Sequence, residues 1–214
     1  MLYCAVAPER EAGYPDSVIQ VPAQDLTRQG NPAQWGTACH QILETAILQT
    51  EELGLRMNPT SVPPHDNFQG AEYQEMQRVA QVAYEYVYGK VDELRSQGKP
   101  VAVRAESRVY PGKLIGIEGD LDGTADVTII GDDFIETIDL KTGGLFGDAN
   151  DEQLRYYSAG TLAEYLDKDG VCPFECCRAT IIQPLGESGQ PIRHHDYSPI
   201  ELISWMNNTV KPAY

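Results

Sequence analysis

Long apolar runs are what this sequence most plainly lacks. No stretch would cross a bilayer as a helix, so no membrane association is expected. The N-terminus, MLYCAVAPEREAGYP, has no basic segment leading into a long apolar stretch; no secretory signal is read, and a cytoplasmic location is expected. Cysteine is sparse and odd in number, at Cys4, Cys39, Cys172, Cys176 and Cys177, so thiols rather than disulfides are expected. Internal repeats, low-complexity tracts and a glycine-rich phosphate loop are missing. Basic residues are also in short supply: 16 Lys and Arg face 32 Asp and Glu, a formal net charge of −16. Proteins that bind nucleic acid ordinarily carry a basic face, because phosphate neutralisation drives the binding. This chain as a whole repels a polyanion at long range.

What is present suits one folded domain. The chain has 214 residues, 42% hydrophobic and 22% charged, enough to bury a core without disulfides or a structural metal. Residues 1–33, rich in Pro, Gly and Gln and without a period, read as an arm or loops; residues 34–214 read as a single domain. Apolar positions at three-to-four-residue spacing predict helices from Gln34 to Leu53, with Thr37 near the start as cap, and from Gly70 to Gln97. Val101–Tyr110, Gly119–Ile130 and Phe134–Leu140 read as three antiparallel strands, with a tight turn at Gly131–Asp133. A helix at Glu152–Asp167, a buried strand at Arg178–Gln183 and an edge strand at Ile192–Tyr197 follow. A last helix begins at Ser198, where Ser-Pro-Ile-Glu forms a capping box with Glu201, and runs to near Val210. This order predicts an α/β fold: a central mixed β-sheet flanked by helices on both sides.

The stretch Gly123–Lys141 carries the chemistry. Asp139 and Lys141 are two apart on a strand and share a face. Antiparallel pairing would bring Asp126 next to Asp139, and two carboxylates held close repel unless a cation lies between them. Oxygen ligands of this kind suit Mg²⁺ or Mn²⁺. A lysine beside them can orient a water or stabilise charge on a phosphate. Spacing alone fits equally well a turn with surface acids and a lysine paired to them.

Further motifs surround this pair in order: GTACH (36–40), GTAD (123–126), IDLKTG (138–143) and QLRYY (153–157). Together they resemble the PD-(D/E)XK nuclease superfamily, and within it the RecB-like branch that includes phage exonucleases. The tail, with TIIQP and a Trp-bearing helix, is similar to phage members of that branch. The resemblance implies a restriction-endonuclease-like core and a Mg²⁺/Mn²⁺-dependent deoxyribonuclease, a phosphodiester hydrolase. It implies an exonuclease of viral DNA recombination, repair or replication, working in the host cytoplasm. The alternatives are an endonuclease with the same site, or a catalytically silent nuclease fold that binds DNA or protein. By position, Asp126, Asp139 and Lys141 would be catalytic, and His40, Asp126, Asp139 and the Leu140 carbonyl would be metal ligands. Gln153, Tyr157 and Arg155 would shape the site and contact DNA. Glu106 sits where related proteins often place an acid, and Glu44, one turn beyond His40, could hold a metal-bound water.

Some relatives carry an iron–sulfur cluster on one early and three late cysteines. Cys4, Cys172, Cys176 and Cys177 imitate that set, but adjacent Cys176 and Cys177 are hard to aim at one cluster, so none is expected. His65, His194 and His195 read as surface residues. The acid excess would be reconciled with DNA if Arg104, Arg108, Lys113, Lys141 and Arg155 lined a local positive groove, which a homo-oligomeric ring would concentrate. A phage or host recombination protein would be a further partner.

Overall fold

The computed structural model describes residues 32–64, 68–117, 119, 121–145, 147–166, 171–186 and 189–214. Of the arm read at 1–33, residues 1–31, Cys4 among them, lie outside them, as do His65 and Asp167, and its last two residues, Pro32 and Ala33, belong to a helix. The first helix, α1 (Pro32–Leu53), starts two residues before Gln34. Proline suits a first turn, where a missing N–H loses no bond. Thr37 is therefore no cap: it lies inside the helix, and its Oγ1 bonds back to the Ala33 carbonyl at 3.0 Å. Ile42, Leu43, Ala46 and Ile47 of α1 are buried against the second helix, α2 (Gly70–Ser96), which contributes Tyr73, Met76, Val79, Ala80, Ala83, Val87 and Val91.

Five strands form one sheet in the order β1 (Ala102–Val109), β2 (Gly123–Ile130), β3 (Phe134–Leu140), β4 (Cys176–Ile182), β5 (Ile192–Tyr197). β2 begins at Gly123, four residues later than Gly119. All neighbours run antiparallel except β3 and β4, which are parallel. That pair needs a crossover, and α3 (Glu152–Ala163) lies in it. Asp151 caps α3, accepting the Leu154 N–H at 2.7 Å. The capping box of Ser198 and Glu201 opens α4 (Pro199–Trp205). The chain continues through a π-helical turn at Met206–Val210 into a short last turn, Lys211–Ala213.

Strand alternation distributes the core. Val127, Ile129, Ile138, Leu140 and Ile182 face α1 and α2. Ile135, Cys177, Ala179 and Ile181 face Leu154, Ala159 and Leu162 of α3, together with Leu202 and Met206. The sheet is thus mixed and covered by helices on both faces. Full burial of each Val, Leu, Ile or Met side chain among them contributes about 1.5–3 kcal/mol. One acid is enclosed in the α2 side: Glu136 accepts hydrogen bonds from Tyr86 Oη (2.6 Å), Thr180 Oγ1 (2.5 Å) and Lys90 Nζ (2.6 Å).

One strand departs from simple alternation. Val103 packs in the α1–α2 core, yet Val109, six residues on and in the same phase, lies against Gly160 of α3. The strand turns over between them. Glu106, at φ 46°, is the one non-glycine residue with positive φ among the described residues.

Candidate active site

The strand registers bring three acids into line. Ala105 pairs with Val127 and Ser107 with Ala125, which sets Glu106 across from Asp126. Val127 pairs with Ile138, so one step further Asp126 falls across from Asp139. At that step the β2–β3 ladder ends. The Leu140 N–H donates instead to the Asp126 carboxylate at 2.7 Å. Leu140 was expected to serve through its carbonyl; its visible tie to the site is this N–H.

α1 closes one side of the row. His40 Nδ1 is 3.3 Å from Asp126 and 3.7 Å from Glu106. His40, Glu106 and Asp126 each offer a donor atom within 4.8 Å of the others, close enough to share one metal ion. Burial works against charge on His40, but its two acidic neighbours outweigh it and push the imidazole up to about 10. Glu44, one turn along, has its carboxyl pushed up by burial and by the nearby charge of Glu106.

α3 closes the other side. Lys141 Nζ lies 3.1 and 2.9 Å from the two Asp139 oxygens and donates to Gln153 Oε1 at 3.2 Å. Gln153 Nε2 in turn donates to Tyr157 Oη at 2.9 Å. Four positions along a helix put Gln153 and Tyr157 on one face. Burial, and then the charge of Asp126, push Asp139 up to about 6 against the opposing pull of Lys141 and His40. Its Oδ2 is buried and ion-paired with the Lys141 ammonium.

The structure therefore gathers His40, Glu106, Asp126, Asp139, Lys141, Gln153 and Tyr157 in one place, with Glu44 beside them. Arg155 is not among them. Its guanidinium sits over the rings of Tyr197 (5.2 Å) and Trp205 (4.8 Å) on another flank of α3. Two of the other bases expected around the site are turned to the chain's own acids. Arg104 is bound to Glu164 at 2.8 Å, Arg108 to Asp122 through Nε at 2.7 Å, and Lys113 lies over the Tyr110 ring. The adjacent Cys176 and Cys177 alternate across the sheet at the start of β4, and His194 and His195 lie on β5.

Three residues matter for reasons sequence reading did not find. A Cβ on Gly123 would stand 2.5 Å from the Tyr157 ring, and one on Gly36 would stand 3.0 Å from Thr142 Oγ1. These glycines let α3 and α1 close on the strand ends. Gln183 is buried at the end of β4. Its amide donates to the carbonyls of Gly143 (2.7 Å) and Leu145 (2.5 Å) and accepts from the Gly147 N–H (3.2 Å). It braces the loop after Lys141. A polar residue closing the apolar run TII, just before Pro184, was the available signal.

No curated protein and no solved structure matches the chain. A family model described as Protein of unknown function (DUF2800) does match, over residues 19–214, and the chain belongs to that family.

Proposed function

We propose that this chain is a metal-dependent DNA nuclease, an exonuclease of DNA recombination, repair or replication that works in the cytoplasm. One observation carries the reading: Glu106, Asp126 and Asp139 stand in a row on three adjacent strands, between His40 on one side and Lys141 on the other. Carboxylates crowded in this way ask for a cation. The donor set fits a hard divalent ion, since the carboxylate oxygens of Glu106 and Asp126 come with an imidazole. His40, Glu106, Asp126 and Asp139 would hold Mg²⁺ or Mn²⁺.

The bound ion would polarise a phosphate and make a water more acidic. The protein supplies the rest. Lys141 places an ammonium where charge builds on the phosphate in the transition state. Gln153 holds that ammonium in position, and Tyr157 holds Gln153. The Leu140 N–H fixes the Asp126 carboxylate, so the row of acids keeps its spacing. Resemblance of the four ordered motifs to RecB-like nucleases supports the same chemistry, and the exonuclease form of it.

The test uses linear and covalently closed circular DNA with Mn²⁺ or Mg²⁺, and EDTA as control. Metal-dependent loss of linear DNA alone is expected. Nicking of circles would make the enzyme an endonuclease. No metal-dependent cleavage of either would overturn the reading. Asp126→Ala, Asp139→Ala and Lys141→Ala should each abolish cleavage with the fold retained; activity surviving in any of them would show the site to be elsewhere.

A further inference from the structure

A cavity of about 310 Å³ lies on the exposed side of α2, against the chain that follows α1. Its walls include Arg56, Met57, Gln81, Tyr84, Glu85 and Gly89. Gln81, Glu85 and Gly89 are four apart and share one face of the helix. Gly89 keeps the space open: a Cβ there would meet nothing within 4 Å. Glycine inside a helix costs about 1 kcal/mol against alanine, and no described neighbour calls for it here. Arg56 is already committed. It lies over the Tyr88 ring at 4.2 Å, donates to the Tyr88 carbonyl at 2.7 Å and is ion-paired with Asp92. Glu85 has no cationic partner among the described residues; its Oε1 accepts from the Gln81 amide at 2.7 Å. Gln81 Oε1 is enclosed and has no hydrogen-bond partner. The cavity thus offers an occupant oxygen acceptors and one unbalanced negative charge.

From this we infer that the cavity receives an arginine side chain of a basic protein partner. One positive charge balances Glu85. The planar fork of N–H donors on a guanidinium serves oxygens on two successive helical turns at once. The last torsion of a glutamine is broad, so Gln81 Oε1 turns readily to meet a donor. A guanidinium is also more weakly hydrated than an ammonium, which suits walls that include Met57 and Tyr84. Arg56, Glu85 and Gly89 are exposed, so the cavity is open to a side chain reaching in from a partner's surface. The net charge of −16 draws basic segments toward this chain at long range. His40 lies on α1, whose far end at Leu53 is about 20 Å away, and the cavity lies past that end. Both places can therefore be occupied together, and the inference does not rest on the nuclease reading.

The experiment titrates the isotope-labelled full-length protein with the acetylated and amidated tripeptide Gly-Arg-Gly, read by amide NMR. Its lysine and citrulline counterparts and free arginine are run beside it. Saturable shifts at the amides of Glu85 and Gly89 are expected with the arginine peptide. The citrulline peptide, of the same shape without the charge, should give none. Glu85→Gln should weaken binding about tenfold, the loss of one hydrogen bond to a charged group. Gly89→Leu should fill the cavity and abolish binding, yet melt at or above the wild-type temperature because helix propensity rises. The lysine peptide and free arginine should both bind more weakly. No saturable shift at these amides, equal shifts with citrulline, or undiminished binding in Gly89→Leu or Glu85→Gln would each overturn the site. Tighter binding of the lysine peptide would overturn the guanidinium, and free arginine binding as tightly as the peptide would overturn the protein partner. DNA cleavage enters none of these outcomes, so the nuclease reading stands or falls separately.

Discussion

The ring of Tyr157 occupies the space a side chain on Gly123 would need, with 2.5 Å between a Cβ there and ring Cε1. Two of the motifs flanking the acids are thus in contact: the glycine that begins β2 and the tyrosine that anchors Gln153. Gly123→Ala should push Tyr157 aside, and with it the hydrogen-bond chain to Lys141. Overpacking of this kind costs about 1–3 kcal/mol. We expect cleavage to drop by more than the small fall in melting temperature would explain. Wild-type cleavage in a folded Gly123→Ala protein would show that the chain from Tyr157 to Lys141 is idle.

Metal binding should be visible without catalysis. An ion that binds only the folded state stabilises it by about 2.7 kcal/mol at a hundred times its Kd. Mn²⁺ should therefore raise the thermal midpoint of the wild type, and EDTA should reverse the rise. Glu106→Ala and His40→Ala should blunt the rise, since both residues belong to the donor group. An equal rise in all three proteins would place the ion elsewhere.

The enclosed Glu136 gives a prediction about acid. Burial would raise its carboxyl, but Lys90, Thr180 and Tyr86 outweigh burial and hold it below the ordinary range. A depressed folded value means the group's contribution to stability is full above the unfolded value of about 4.3 and is lost as pH falls through the folded one. Lys90→Met leaves the carboxylate without its cation, which should cost about 3–5 kcal/mol at neutral pH. The deficit should shrink in acid, where Glu136 is neutral. Urea melts across pH 3–7 measure it, and a deficit independent of pH would mean that the ion pair contributes nothing.

Gln183→Ala removes the brace of the loop after Lys141. Leaving its buried partners unmatched should cost about 1–3 kcal/mol. Hydrogen exchange at Gly147, whose N–H the amide accepts, should accelerate while the β3–β4 ladder stays protected. Unchanged exchange there would show that the loop holds itself.

Much of this arrangement was legible in the chain, for identifiable reasons. Asp126 and Asp139 lie on strands joined by a tight turn, so their approach follows from local pairing. The two-residue spacing of Asp139 and Lys141 and the four-residue spacing of Gln153 and Tyr157 report shared faces directly. Glu106 was harder. Its place depends on the register of β1 against β2 across the long connection from Tyr110 to Asp122, which no local pattern fixes. Thr37 misled because a capping residue type lay near the start of a helix that proline had already opened. The bases misled because sequence gives charge but not partners: Arg104 meets Glu164, sixty positions away. Gln183 and the two motif glycines act through close packing, which is invisible until the elements are assembled.

Glu106 has a consequence for how this protein can be improved. A left-handed conformation costs a side-chain-bearing residue about 1–2 kcal/mol, and glycine adopts it freely. Glu106→Gly should relieve that strain, yet it deletes a carboxylate from the row. Selection for heat resistance alone would favour the glycine, and selection for cleavage would remove it. If the proposed nuclease reading holds, this single position trades stability for reactivity.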